Sequence, residues 1–266
     1  MHPRTPKLLR KLPYYVASVF QLARIARARS VARCILLPDK RLDLRDGSSL
    51  RLGTVLDVLV VKETLVDDVY GLRGVAAAAD GVVVDVGAGV GEFTLAAARR
   101  FPELTVLSCE PNPAAFALLT LNAAASGYTN VKIIPAAIGT EPQYVLRNAA
   151  SGARASAVGA ADAQAVVVMG RRLDEIVPCG PIRLLKIDCE GLEVDVLRSA
   201  AGVIDRVEKV VVEFHRHLLA DADRAVAGLL GQYGFRPRTR IDRYDDDLGY
   251  VFAVRVGDSG EGVWAV

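Results

Sequence analysis

Three clusters of residues in this 266-residue chain carry side chains suited to bond-making chemistry. The first is Asp188-Cys189-Glu190-Gly191-Leu192-Glu193, where the apolar run Leu184-Leu185-Lys186-Ile187 ends in two acids before a glycine opens a helix. Such carboxylates suit a cationic group, a substrate hydroxyl or a metal ion. The second is Glu213-Phe214-His215. Side chains two apart on a strand point the same way, so Glu213 is placed to orient the imidazole of His215. His215 is the candidate general base, with Asp188 its competitor as base or substrate anchor. His217 reads as a surface residue.

The third cluster is Asp85-Val86-Gly87-Ala88-Gly89-Val90-Gly91. Small residues let the backbone come close to a ligand, and their N–H groups can hold an anion. Glu110-Pro111 follows at the end of the next apolar run, where a carboxylate can accept both hydroxyls of a ribose. The spacing is G-x-G-x-G rather than the dinucleotide G-x-G-x-x-G. With Asp85 ahead of the glycines, it points to S-adenosylmethionine (SAM) rather than NAD. The expected cofactor contacts are Asp85, Gly87, Ala88, Gly89, Gly91, Glu110, Pro111 and Ala137.

Other groups are assigned plainer roles. Glu193 is read as stabilising a helix N-terminus and Cys189 as a small packing residue. Asp188, Glu190 and Glu213 could together bind a divalent cation, but each acid has another explanation and no metal is expected. Four cysteines without a C-x-x-C pair, and three histidines without finger-like spacing, argue against disulfides and zinc.

The elements that must position these residues follow from local periodicity. Residues 42 to 53 alternate around Asp46-Gly47, a hairpin signal, and 55 to 70 read as helical. From 81 onward strands (82–86, 104–109, 131–134, 165–169, 182–187, 207–213) alternate with helices (91–101, 113–125, 172–177, 191–200, 219–231). Residues 235–240 and 249–255 form a last strand pair, and the Ala/Gly/Ser-rich stretch 148–165 reads as a mobile loop. Repeated βα units predict an α/β fold, a mostly parallel Rossmann-like sheet with an antiparallel terminal hairpin. Ligands of such sheets lie beyond the carboxyl ends of the strands, where all three clusters fall. The expected organisation is an arm at 1–41, a cap at 42–80, the core at 81–256 and a tail at 257–266.

The net charge of +2 conceals an asymmetry. Residues 1 to 41 hold ten Lys/Arg against Asp39 alone, leaving 23 basic and 30 acidic residues in the remainder. An acidic body argues against a large nucleic-acid footprint. The basic, helical arm is expected to dock on the body or touch an anionic membrane surface, rather than act as a cleaved leader. A cytoplasmic enzyme, peripheral at the inner membrane surface through this arm, is the expected setting; the oligomeric state is left open.

Taken together, Asp85 to Gly91, Glu110-Pro111, Ala137-Ile138-Gly139, Arg172-Leu173-Asp174, Lys186 to Glu193 and Val212 to His215 resemble the FkbM-type family of SAM-dependent methyltransferases over roughly 42 to 255. The resemblance implies the class I methyltransferase fold and O-methylation of a hydroxyl on a sugar, glycolipid, polyketide or related secondary metabolite, with a small-molecule or lipid-linked glycan acceptor. Two departures are Ser126, where a second asparagine often follows Asn122, and the Ala-rich 148–165 stretch. Three rival readings are an NAD-dependent oxidoreductase, an RNA methyltransferase gripping with the arm, and a catalytically silent SAM-fold interaction protein.

Overall fold

The structure is a computed structural model that describes residues 7–38, 40–147, 154–157 and 165–257. Two helices, α1 (Lys7–Ile25) and α2 (Ala28–Leu36), lead into a short hairpin of β1 (Arg41–Asp43) and β2 (Ser49–Arg51) and then α3 (Asp57–Lys62). The hairpin turns where the sequence predicts, with Gly47 at φ 93°. A wider, π-helical turn over Glu63–Asp67 prolongs α3. The arm is docked: Leu22, Ala26, Val31 and Cys34 join Leu42, Leu50, Val58, Val61 and Val90 in one buried apolar cluster.

The core follows as β3 (Val82–Val86), α4 (Glu92–Arg100), β4 (Thr105–Cys109), α5 (Pro113–Ser126), β5 (Val131–Ile134), β6 (Ala137–Ile138), β7 (Gln143–Arg147), β8 (Arg154–Ala157) and β9 (Val166–Arg171). It continues through α6 (Leu173–Ile176), β10 (Ile182–Ile187), α7 (Glu193–Ser199), β11 (Lys209–His215), α8 (Ala222–Gln232), β12 (Phe235–Ile241) and β13 (Leu248–Arg255). Asn112 caps α5, its side chain accepting from the Ala114 N–H at 3.0 Å with Pro113 at the first helical position.

Seven strands form one sheet in the order β12-β13-β11-β10-β3-β4-β5. The strands from β5 to β11 pair in parallel, and β13 inserts antiparallel between β11 and β12. The terminal pair is thus the antiparallel element predicted, with the last strand on the inside. Helices cover both faces, so the central strands are buried throughout. Val82, Val84 and Val86 face one core with α7 and α8, while Val83 faces the other with Phe93 and Ala97 of α4. Each such side chain contributes about 1.5–3 kcal/mol by leaving water. The chain runs outward from β3 to β5 and then crosses back to β10, so the topological switch point lies between β3 and β10.

A second sheet, in the order β6-β9-β7-β8, departs from the pattern expected of the sequence. Strands β6 and β7 are not among the predicted strands. Residues 154–157, expected in a loop, pair antiparallel with β7, Tyr144 opposite Ala157. Their Arg-Ala-Ser-Ala run is too short and its residues too small to mark a strand by itself; the pairing comes from a partner strand. The other positions in 148–164, and the expected tail after 257, lie outside the described residues. No helix among the described residues is long and apolar enough to cross a membrane.

Candidate active site

The glycine loop joins β3 to α4 through three left-handed residues, Gly87 (φ 75°), Gly89 (φ 54°) and Gly91 (φ 97°). At Gly87 the requirement is steric as well, because an added Cβ would sit 1.7 Å from the backbone oxygen of Asp188. The loop therefore presses directly against the end of β10. Gly89 faces open space instead, with only Glu92 Oε2 near, at 3.9 Å.

That space is a cavity of ≈ 410 Å³ at the switch point. Of the residues singled out from sequence, Gly87, Gly89, Glu110, Pro111, Ala137 and Asp188 line it. The Glu110 carboxylate accepts from the Gly89 N–H at 2.8 Å and the Asn112 N–H at 2.7 Å. Burial pushes this carboxyl up to about 7, with the two backbone N–H groups working against that rise. Asp57 and Leu118 also line it and carry no signal in the sequence.

Asp85, Ala88 and Gly91 are not among the lining residues. Asp85 is fully buried and turned toward Lys186, its direct neighbour in the β3–β10 register. The Lys186 ammonium lies 2.9 Å from Asp85 Oδ1 and donates to the Gly87 carbonyl at 2.8 Å, while Thr94 donates to Asp85 Oδ2 at 2.7 Å. Burial opposes the lysine charge, but Asp85, Asp188 and Glu92 outweigh it and hold the ammonium protonated. The acid ahead of the glycines thus anchors the loop through a lysine.

The second sequence cluster assembles beside Asp188. Asp188, Glu213 and His215 each offer a ligand atom, all within 4.8 Å of one another. Tyr70, which sequence reasoning misses, lies 3.0 Å through its hydroxyl from Asp188 Oδ2 and 2.7 Å from Glu213 Oε2. Burial first, then the Asp188 charge, pushes the Glu213 carboxyl up, with the His215 charge opposing. His215 is 6% exposed and sets Nδ1 3.2 Å from Glu193 Oε1. Burial alone would lower the imidazole, but the Glu193 hydrogen bond and the charges of Asp188, Glu213 and Glu190 push it up to about 10. The surrounding acids favour the protonated ring, which has no lone pair to take a proton, and this is an electrostatic objection to His215 as general base. Glu193 does what was expected, accepting from the Gly191 N–H at 2.9 Å, and also orients the histidine. Of the three expected catalytic residues, only Asp188 reaches the cavity wall.

Sheet order, glycine loop and switch-point cavity together define a class I SAM-dependent methyltransferase scaffold. Residues 85–237 match the methyltransferase FkbM domain, and the chain belongs to that family. It is 28% identical over 160 residues to methyltransferase 1 of Beauveria bassiana (strain ARSEF 2860), the match covering 50% of this chain and 64% of the relative. The crystal structure of methyltransferase FkbM from Methylobacillus flagellatus is similar at 15% identity and TM-score 0.48, over 65% of this chain and 43% of that one. SAM-bound magnesium protoporphyrin IX methyltransferase from Synechocystis PCC 6803 is similar at 14% identity and TM-score 0.45, over 75% of this chain and 82% of that one. The chain thus spans less than two thirds of the length of the first two.

Proposed function

We propose that the protein is a SAM-dependent O-methyltransferase acting on a hydroxyl of a sugar, glycolipid, polyketide or related secondary metabolite. The observation that carries this reading is the placement of Asp188 on the cavity wall, against Gly87 on one side and the Tyr70–Glu213–His215 cluster on the other. The residues fit SAM: Gly89 leaves room where a side chain would intrude, and Glu110 stands ready to accept ribose hydroxyls. When bound, SAM supplies an electrophilic methyl group on a sulfonium.

The protein's part is orientation and proton handling. Asp188 accepts the acceptor's O–H as a hydrogen bond and takes its proton as the O–C bond forms and the methyl–sulfur bond breaks, while His215 and Tyr70 hold the acid cluster in place. Holding two reactants in line can account for about 7–11 kcal/mol of barrier. A positioned base typically adds about 10²- to 10⁴-fold, so orientation is the larger contribution. The basic helices α1 and α2 are proposed to rest on an anionic membrane surface. Exposed Phe20 and Leu36 lie in the same arm as exposed Arg24, Arg27 and Arg29, which matches the chemistry of acidic lipid headgroups.

The test pairs two measurements. Metabolite profiling of a deletion strain is expected to show a hydroxylated product lacking one methyl group. The purified Asp188→Asn variant is expected to lose about 10²- to 10⁴-fold in turnover while binding SAM within a few-fold of wild type. A wild-type chain that fails to bind SAM would overturn the assignment.

A further inference from the structure

We propose that Asp188 on the cavity wall, with Glu213 and His215 beside it, forms a divalent-metal site, taking a first-row cation such as Mn²⁺ that engages the acceptor's hydroxyl oxygens. This deepens the methyl-transfer reading and rests on it for the role of the ion, though not for its binding. It also revises the expectation from sequence that no metal is held here.

The geometry of His215 is the first observation. Its Nδ1 is committed to Glu193, whose side chain is fully buried and also accepts from the Gly191 N–H. That leaves Nε2 directed at oxygen atoms it does not hydrogen-bond: Glu213 Oε1 at 3.7 Å and Glu190 Oε1 at 3.9 Å. A hydrogen bond between such atoms spans about 2.7–3.2 Å. Ligands about 2.0–2.2 Å from a shared ion instead stand about 3–4 Å from one another. A histidine that donates one ring N–H to a carboxylate and turns its other nitrogen inward has the arrangement found around bound metals.

Tyr70 supplies the second observation. Its hydroxyl lies within hydrogen-bond reach of Asp188 Oδ2 and Glu213 Oε2, donating its one proton to either, and the other oxygen of each carboxylate is left for an ion. Charge points the same way. Asp188, Glu190, Glu193 and Glu213 gather round one imidazole, and Glu193 Oε2 is buried without a hydrogen-bond partner. The nearest ammonium, Lys186, stands 4.0 Å from Asp188 and is engaged with Asp85 at 2.9 Å. One imidazole nitrogen with two or three carboxylate oxygens suits Mn²⁺, Fe²⁺ or Zn²⁺ better than an all-oxygen calcium set.

Access comes from the cavity, since the Asp188 and Glu190 side chains are 24% and 38% exposed and both line it. On binding the ion, His215 Nε2 releases its proton to solvent. An acceptor hydroxyl on the ion would become more acidic and give its proton to Asp188 or to water, and the alkoxide oxygen would form the new O–C bond as the methyl group's bond to the SAM sulfur breaks, its electron pair staying on sulfur in S-adenosylhomocysteine. Glu193 and Tyr70 act as positioning residues.

The experiment titrates the full-length, metal-stripped chain with Mn²⁺ alone and follows the loss of the free-ion signal by electron paramagnetic resonance. One ion per chain is expected. Glu213→Gln and His215→Gln should each weaken it more than ten-fold, and Glu193→Gln, which leaves all three ligands in place, by about 10–100-fold. Titrating the same samples with SAM reports folding and tests the parent reading separately. SAM binding with no Mn²⁺ uptake, or Mn²⁺ uptake unchanged in Glu213→Gln and His215→Gln, overturns the metal site. Mn²⁺ uptake without SAM binding supports the site and removes the methyl-transfer reading instead.

Discussion

Replacing Lys186 by methionine removes the cation paired with Asp85 while nearly preserving volume. Both side chains are buried, Asp85 at 0% and Lys186 at 1% exposure, and they stand 2.9 Å apart. After the change the Asp85 carboxylate keeps the Thr94 hydroxyl at 2.7 Å but not its counter-charge, and the Gly87 carbonyl loses its 2.8 Å donor. Stranding one member of a buried pair costs about 3–5 kcal/mol. At about 2–4 °C per kcal/mol for a chain of this size, the melting temperature should fall by about 6–20 °C. Neutralising both partners, as in Asp85→Asn with Lys186→Met, removes the charge stranded at Asp85, and replacing both members of a buried pair is often neutral to stability. The double variant should recover at least about 2 kcal/mol relative to the sum of the single losses. Urea unfolding of the wild type, both single variants and the double variant measures this coupling. SAM titration of the same proteins should separate two effects: stability returns in the double variant, whereas affinity does not, because the Gly87 carbonyl still lacks the ammonium that anchors the loop. Purely additive losses, or a Lys186→Met penalty below about 1 kcal/mol, would refute the reasoning.

Two further outcomes follow from the site and the arm. In the proposed role Glu110 accepts both ribose hydroxyls best as a carboxylate, and its carboxyl is pushed up to about 7, so SAM affinity should fall as pH drops through that value. A fully carboxylate-dependent site loses about ten-fold one unit below its pKa; calorimetry of wild type against Glu110→Gln isolates this dependence, and parallel pH profiles for the two proteins would remove it. Glutamate at Arg24, Arg27 and Arg29 should weaken sedimentation with phosphatidylserine vesicles by about a hundred-fold at low salt, taking about 1 kcal/mol for each basic residue near the surface, and unchanged association would exclude the membrane contact.

Several features of the site are legible in the amino-acid sequence because their causes are local. The β-branched run at Val82–Val86 is too short and too apolar to be anything but a buried strand. Glycines at alternate positions allow the left-handed backbone of the turn that follows, and Asn112-Pro113 announces α5 through capping chemistry. Periodicity alone places Glu110 and Asp188 at the ends of strands. Glu213 and His215 are expected on one side because β11 continues through both, and their side chains do stand together, 3.7 Å apart.

What periodicity does not supply is the partner of each side chain. Asp85 has the position of a ligand contact, yet β10 docks in register and places Lys186 against it from 101 positions away. Tyr70 ends the stretch read as helical but lies in the turn beyond it, 118 residues from Asp188 and 143 from Glu213, and only the folded cap carries it to them. The strand at Arg154–Ala157 exists through pairing with β7, not through its own composition. Sequence by itself determined the order of βα units, the glycine loop and the acids at the strand ends, since helix and strand periods, turns and caps are settled within a few residues. Tertiary structure alone decided that Asp85 anchors while Asp188 faces the cavity, and that His215 sits among four carboxyl groups. Those outcomes depend on register, burial and the sum of charges brought together across the sheet, and none of these is a property of a local stretch of chain.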